Sequence, residues 1–125
     1  MPELEVAADA ASNRLYIRLS GFFREADVQP AIARLEEELK WVTPGFDVVV
    51  DISKFVPGSP SAAEALRRGG EMVKDRGRRR AVRITGGLVT GLMQFKRMLG
   101  GIFAEDDTVR YASSRAEAVR ILDKW

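Results

Sequence analysis

The stretch that decides the fold is FDVVVDISKFVPGSPSAAEA, residues 46–65. Its apolar run, residues 48–50, is typical of a strand that is buried on both faces at the centre of a sheet. Asp51 and Ser53 predict that this strand ends within residues 51–53, and Pro57, Gly58 and Pro60 predict a change of direction after it. The rest of the chain is therefore expected to pack around residues 48–50.

Two helix starts compete directly after this turn. Ser61-Ala62-Ala63-Glu64 has the S-x-x-E form of a capping box and predicts a helix over residues 61–76. Ser59-Pro60 is the alternative, with serine as the N-cap and proline at the first helical position. The pattern alone does not choose between them.

On both sides of the central stretch, segments with the two-residue apolar spacing of strands alternate along the chain with segments that have the 3.6-residue spacing of helices. Strands are predicted over residues 4–8, 15–19, 81–85 and 109–112, and helices over residues 25–42, 88–103 and from the capping box at Ser114 to the end. The order β-β-α-β-α-β-α-β-α predicts an α/β fold, a mixed sheet that is parallel over much of its width and carries about four helices. Residues 1–125 are expected to form one domain.

The composition argues against the commonest catalytic chemistries. The chain has no cysteine and no histidine, which excludes thiol catalysis, thiolate metal sites and the commonest general base. We expect no enzymatic activity, no metal site and no cofactor. No apolar run approaches the ~18 residues of a membrane span, and the first residues do not resemble a signal peptide, so a cytoplasmic location is expected.

The order of elements, together with the helix start, resembles the STAS domain of the sporulation anti-sigma-factor antagonists. In that family a central strand and a short loop lead to a D-S-S-G-L turn, whose second serine accepts phosphate. Aligned from residue 51 without gaps, this turn corresponds to Ser59-Pro60-Ser61-Ala62-Ala63, in which Ser61 takes the phosphoacceptor position. Residues 45–47 and 93–95 look more like those of a divergent STAS-like branch than those of the usual regulators. This branch is related in fold to the lipid-binding CRAL-TRIO domains.

The resemblance implies a cytoplasmic protein-interaction or signalling module with a protein partner. Ser61 becomes the candidate for regulatory phosphorylation, with Ser59 and Asp51 in support. The plainer interpretation of Ser61 is a helix N-cap that stabilises the protein by ~1 kcal/mol. Asp51 is expected to accept backbone N–H groups at the end of the strand, because Asp47 and Asp51 lie roughly 13 Å apart on one strand and cannot share a proton.

The predicted third helix, residues 88–103, is too apolar for a single narrow stripe. Met93 and Phe95 are therefore candidates for contact with a partner, with a second copy in a homodimer, or with a lipid or small ligand. A domain that binds an apolar or anionic small ligand in a pocket near this helix is the alternative function.

Residues 76–80, RGRRR, are the most conspicuous charge feature. Arg67, Arg68 and Arg83 belong to the same basic region. One interpretation is a solvated helix–strand corner, with some of these arginines pairing with the acidic first helix; the other is a site for an anionic partner or a membrane surface. Nucleic acid is disfavoured, because residues 62–94 contain no aromatic side chain that could stack on bases.

Overall fold

The structure, a computed structural model, describes residues 2–85 and 107–125. Its elements are β1 (Glu3–Asp9), β2 (Arg14–Phe23), α1 (Glu25–Leu39), β3 (Asp47–Pro57), α2 (Pro60–Asp75), β4 (Arg80–Ile84), β5 (Val109–Ala112) and α3 (Arg115–Lys124). The mixed α/β class and the five strands confirm the prediction. The helix that was predicted over residues 88–103 lies outside the described residues.

The five strands form one sheet in the order β1-β2-β3-β4-β5, so β3 has two strands on either side of it. β1 is antiparallel to β2, and the other three pairs are parallel. Val48 and Val49 are buried, and Val50 is partly buried. The prediction that residues 48–50 lie in the middle of the sheet is therefore confirmed.

The predicted end of the central strand at residues 51–53 was wrong, because β3 continues to Pro57. Arg18 is paired with Asp51 and Ser20 with Lys54, so β3 contains one more residue than β2 over this interval. The Asp51 carboxylate accepts hydrogen bonds from the Ser53 amide (3.0 Å) and hydroxyl (2.6 Å). The polar residues are thus accommodated in a β-bulge inside the strand.

The two faces of the sheet carry different helices. Val48 on β3 packs with Leu35 and Leu39 of α1 and with Val73 of α2. On the other face, buried side chains of β3, β4 and β5 pack against α3, through Val49, Val82, Ile84, Ala112, Ala118 and Leu122. Successive side chains of a strand point to opposite faces, which is why neighbouring valines of β3 belong to different cores.

A buried carboxylate joins β3 to β4. Asp47 is only 4% exposed, and its Oδ2 accepts hydrogen bonds from Nη2 of Arg80 (2.9 Å) and of Arg79 (3.2 Å). Burial raises the pKa of Asp47, but the hydrogen bonds and charges of Arg80 and Arg79 outweigh it, so the pKa lies below its usual value.

The partners of the arginines differ from the expected ones. Arg79 and Arg80 pair with Asp47 on the central strand, and Arg67 pairs with Glu64 and Glu71 on its own helix, α2. None of these three pairs with the acidic first helix, where some of the arginines were expected to find partners. A charge pattern indicates the need for partners, whereas the fold decides which carboxylates are within reach.

We expect Asp47→Asn to lower the free energy of unfolding at neutral pH by about 3 kcal/mol, because a buried ion pair loses one partner. The native pKa of Asp47 is below the ordinary value of 3.8. The ion pair therefore stabilises the wild type fully above that pH and progressively less as the pH falls through the native pKa. Urea unfolding between about pH 7 and pH 2 should show the gap between wild type and variant closing at the acid end.

Asp75→Asn is the matched control for Asp47→Asn, since Asp75 is exposed. It should change stability by less than about 0.5 kcal/mol. If Asp47→Asn lowers the free energy of unfolding by the same amount at neutral and at acid pH, the assignment of the ion pair is contradicted.

Candidate functional site

The candidate site lies where β2 and β3 end and α2 begins. Ser59 is the N-cap of α2, with an extended backbone (φ −164°, ψ 162°), and its Oγ accepts a hydrogen bond from the Ala62 amide at 3.1 Å. Pro60 occupies the first helical position, where its fixed φ suits a helix and its missing N–H costs nothing. Of the two competing starts, the Ser59-Pro60 cap is the correct one.

Ser61 consequently has a different role from the predicted cap. It lies inside the first turn of α2 and is exposed. Glu64 does not complete a capping box with it; its carboxylate pairs with Arg67 instead, and that hydrogen bond lowers the pKa of Glu64. The Ser61 hydroxyl is therefore accessible from solvent and is not needed to cap the helix.

The amino end of α2 also differs in charge from those of the other two helices. α1 carries Glu25 and Asp27 in its first turn and α3 carries Glu117, whereas the first turn of α2 has no acidic residue. The helix dipole makes such an end favourable for a negative charge. The carboxylate nearest along the helix to a phosphate on Ser61 would be that of Glu64, three residues on, which is paired with Arg67.

Two exposed apolar side chains border this helix start. Phe22 on β2 is 55% exposed, Val56 on β3 is 50% exposed, and the two residues are register partners. A Cβ on Gly58 would lie 2.9 Å from Cε1 of Phe22, so the Phe22 ring lies against Gly58. We call Phe22, Val56 and Gly58 the Phe22 patch; chain continuity places it one residue from the Ser59 cap.

Gly58 fixes the Phe22 patch to the sheet. Its amide donates a hydrogen bond to the Phe23 carbonyl at 2.7 Å, and an added Cβ would lie 2.7 Å from that same oxygen. Phe23 points the other way, is 3% exposed and packs against Phe55 with ring centroids 5.5 Å apart. The exposed ring therefore lies against a glycine that is hydrogen-bonded to β2.

The sequence did not indicate Phe22 and Val56. The strand predicted over residues 15–19 ends before Phe22, and the bulge that shifts the register of β3 is what aligns Val56 with it. The alternation of β2 beyond residue 19 was the available signal, since Phe22 and Phe23 must point to opposite faces if the strand continues.

The structure brings together only part of the predicted site. Ser59 and Ser61 lie at the start of α2, but Asp51 lies within β3, about 20 Å along the strand from Pro57. Asp51 does accept a backbone N–H, as expected, from Ser53 in the bulge. Met93 and Phe95 lie outside the described residues.

A cavity of about 240 Å³ lies between α1, α2 and the sheet. Its wall is mainly apolar and includes Ile17, Val28, Ile32, Val50, Leu66 and Val73. Arg67, Glu71 and Lys74 of α2 add charged groups to the lining. Within residues 2–85 and 107–125, no cluster of three or more acidic side chains could hold a metal ion.

The fold is shared with solved structures of low sequence identity. An uncharacterised protein from the DUF3478 family of Shewanella loihica PV-4, with a SpoIIAA-like fold, superposes with a TM-score of 0.69 at 16% identity, over 98% of this chain and 95% of that one. The present chain has a STAS-like fold.

Two structures of the Bacillus protein SpoIIAA have the same STAS-like fold. Its phosphorylated form gives a TM-score of 0.54 at 17% identity, covering 98% of this chain and 99% of that one. The unphosphorylated form, described as an anti-sigma factor antagonist, gives a TM-score of 0.55 at 18% identity, covering 100% of this chain and 98% of that one. No family model matches the sequence, and no curated protein matches it.

Within this STAS-like fold, the two serines at the start of α2 should differ in their effect on stability. Ser59→Ala should lower the free energy of unfolding by about 1 kcal/mol, because the Ala62 amide loses its acceptor. Ser61→Ala, which removes an exposed hydroxyl, should change it by less than about 0.5 kcal/mol. Urea unfolding of both variants measures the difference, and the opposite order would restore Ser61 as the cap.

Proposed function

We propose that this chain is a non-catalytic protein-interaction module that docks a protein partner at the Phe22 patch and is switched by phosphate on Ser61. The observation that supports it is the position of an exposed aromatic ring, packed against Gly58, close to an exposed serine in a first helical turn without acidic residues. Aromatic side chains on a firm base are frequent centres of binding energy in protein interfaces.

The chemistry of phosphorylation fits this arrangement. A phosphoserine adds about −1.5 to −2 charges, which a helix amino end stabilises rather than opposes. The helix should therefore tolerate the phosphate on Ser61. A partner lying across the Phe22 patch would experience the new charge directly, as attraction or repulsion.

The composition and the neighbouring structures support the same conclusion. Without histidine or cysteine, the chain lacks the side chains that most often act as general base or nucleophile near neutral pH. SpoIIAA is an anti-sigma factor antagonist that has been solved with and without phosphate. Carrying an interaction role and a phosphorylation switch over to this chain is part of our proposal.

The proposal predicts how partner binding changes in two variants. Immobilised wild type, Phe22→Ala and Ser61→Asp chains are incubated with extract of the native host, and retained proteins are quantified by mass spectrometry. We expect a protein whose affinity falls about 30-fold in Phe22→Ala, the cost of truncating an aromatic hot spot. Its affinity should also change in Ser61→Asp, and native mass spectrometry of the host's own protein should find phosphate on Ser61.

Ser114→Asp is the matched control, because it introduces the same charge at the N-cap of α3, on the other face of the sheet. It should leave retention of the partner unchanged. A partner that binds wild type, Phe22→Ala and Ser61→Asp with equal affinity would contradict the proposal.

A second candidate function is the binding of an apolar ligand in the cavity beneath α1 and α2. The apolar wall with charged groups in its lining suits a molecule with an apolar chain and a charged end. Its volume of about 240 Å³ lies below the range of about 300–1,000 Å³ that is usual for small-molecule sites. This volume makes it the weaker of the two functions and limits the ligand to a short chain.

If the cavity binds such a ligand, Ala31→Leu should lower the affinity for octanoate about tenfold, because Ala31 lines the cavity and the larger side chain fills it. Ala33→Leu, on the exposed side of the same helix, is the control and should bind like wild type. Isothermal titration calorimetry measures both affinities. Absence of octanoate binding by the wild type, or equal binding by Ala31→Leu, would remove this candidate.

A further inference from the structure

The outer edge of β1 presents a row of backbone groups that no strand pairs. Among the described residues, β1 has a hydrogen-bonded neighbour on one side only, and its pairing with β2 runs from Glu3 to Asp9 without a shift of register. Neither a proline, a lysine nor a bulge interrupts these seven residues. A strand edge of this kind is a template for pairing with a further strand.

The direction of these backbone groups follows from the turn between β1 and β2. The Asn13 carbonyl accepts a hydrogen bond from the Asp47 amide at 3.1 Å, so it points toward β3. Across a trans peptide the carbonyl of one residue and the amide of the next point in opposite directions, so the Arg14 amide points toward β1. Arg14 and its register partner Asp9 therefore form a hydrogen-bonded pair.

Alternation along β1 then assigns the whole strand. The odd-numbered residues of β1 direct their amides and carbonyls toward β2, and Leu4, Val6 and Ala8 direct theirs outward. A second observation agrees, because Nη2 of Arg34 donates to the Val6 carbonyl at 3.4 Å from α1 rather than from β2. This long hydrogen bond is the one contact that the described residues make to the outward row, and the closer partner of Arg34 is Glu38, at 2.6 Å. The outward row is therefore open to a further strand once Arg34 releases Val6.

We propose that β1 pairs with β1 of a second copy of this chain, antiparallel about a two-fold axis at Val6, and joins the two sheets into one continuous sheet. Val6 then lies opposite Val6 of the other copy, and Leu4 of each copy lies opposite Ala8 of the other. All three residues belong to the outward row, so each of these pairs exchanges two backbone hydrogen bonds. The pairing uses every outward amide and carbonyl of both strands.

The side chains of β1 suit this pairing on both faces of the sheet. On the face that carries α1, Leu4, Val6 and Ala8 are all apolar and belong to the core around Val48 or pack against it. Leu4 and Ala8 are only half-buried in the single chain, and each would gain an apolar neighbour in the other copy. On the opposite face, Glu5 would lie opposite the exposed methyl group of Ala7, so no two carboxylates meet at the centre of the interface.

The carboxylates of β1 select the register. A shift of the axis by one residue in either direction would bring Glu5 opposite a carboxylate of the other copy, either Glu5 itself or Asp9, and like charges directly opposite each other are destabilising. In the proposed register such a contact remains only at the two ends, between Glu3 and Asp9. Both carboxylates are engaged within their own chain: Glu3 lies 3.9 Å from Arg18, and Asp9 accepts a hydrogen bond from the Ala11 amide at 3.1 Å.

The first test compares two substitutions of the exposed Ala7, which would lie opposite Glu5 of the other copy. Ala7→Glu creates two like-charge contacts per dimer by symmetry and should raise the dissociation constant of the dimer at least about tenfold. Ala7→Lys, with a side chain of similar length and opposite charge, should leave the dissociation constant equal to that of wild type or lower it. Ala116→Glu, an identical change at an exposed position of α3, is the matched control and should dimerise like wild type. Sedimentation equilibrium of the full chain, from micromolar to millimolar concentration, measures each dissociation constant.

Hydrogen exchange followed by NMR tests the pairing residue by residue. The amides of Leu4, Val6 and Ala8 should exchange rapidly in dilute protein and slowly at concentrations where the dimer forms. The amides of Glu5 and Ala7, which are bonded to β2, should be protected at every concentration. Protection that appears at alternate residues of β1 requires a new strand, because a contact made through side chains would not distinguish neighbouring amides in this way.

A wild type that stays monomeric at millimolar concentration would overturn the pairing of two copies. Equal dissociation constants for wild type, Ala7→Glu and Ala7→Lys would do the same, and so would exchange of the outward amides that does not depend on concentration. Alternating protection that appears only when a different protein binds would assign the edge to that protein instead. Dimerisation and partner docking are separable, since Phe22→Ala should dimerise like wild type and Ala7→Glu should retain the protein partner.

Discussion

The rest of the structure depends on one buried carboxylate, Asp47, at the first residue of the central strand. Removing a charge of this kind from water is costly unless it is paired and hydrogen-bonded, and the guanidinium groups of Arg79 and Arg80 satisfy both conditions. Arg80 also donates to the Trp125 carbonyl at 2.9 Å, and its guanidinium lies 5.4 Å from the centre of the Trp125 ring. The same ion pair thus connects β3, β4 and the chain after α3.

The other end of β3 is held by backbone packing rather than by charge. Gly58 lies so close to the Phe23 carbonyl that a side chain would not fit without movement, and Ser59 then caps α2 through the Ala62 amide. The bulge at residues 51–53 sets the register between these two ends. The two ends of this 11-residue strand therefore lie at opposite ends of the sheet, one held by an ion pair and the other by close backbone packing.

Much of this fold could be predicted from the sequence, because continuous apolar runs and helical periodicity record burial directly. Residues 48–50 had to lie in the middle of a sheet, and the β-α alternation required parallel neighbours. The bulge could not be predicted, since Asp51 and Ser53 look like the polar end of a strand unless the pairing with β2 is known. The choice between Ser59 and Ser61 depended on Pro60, whose ring fits the first helical position and favours the earlier start.

The exposed residues at both ends of the sheet were harder to predict than the core. A phenylalanine or a tryptophan in a sequence is normally assigned to the interior, and its exposure depends on which neighbours the fold supplies. The arginines of residues 76–80 likewise gave no indication of Asp47 as their partner, because the two segments lie about 30 residues apart in the chain. Sequence patterns therefore identify the elements, while the pairing of the elements creates the candidate sites.

The distance between the two ends of the sheet determines how they would influence each other. α2 connects them, with Ser61 in its first turn and Arg76 as its C-cap, and its 16 residues span about 24 Å. This distance is about three times the Debye length of ~8 Å at physiological ionic strength, so a phosphate on Ser61 would be largely screened from Arg76. The two ends would therefore act independently: a phosphate on Ser61 would change the docking of a protein partner and leave the charged groups around Arg76 unaffected.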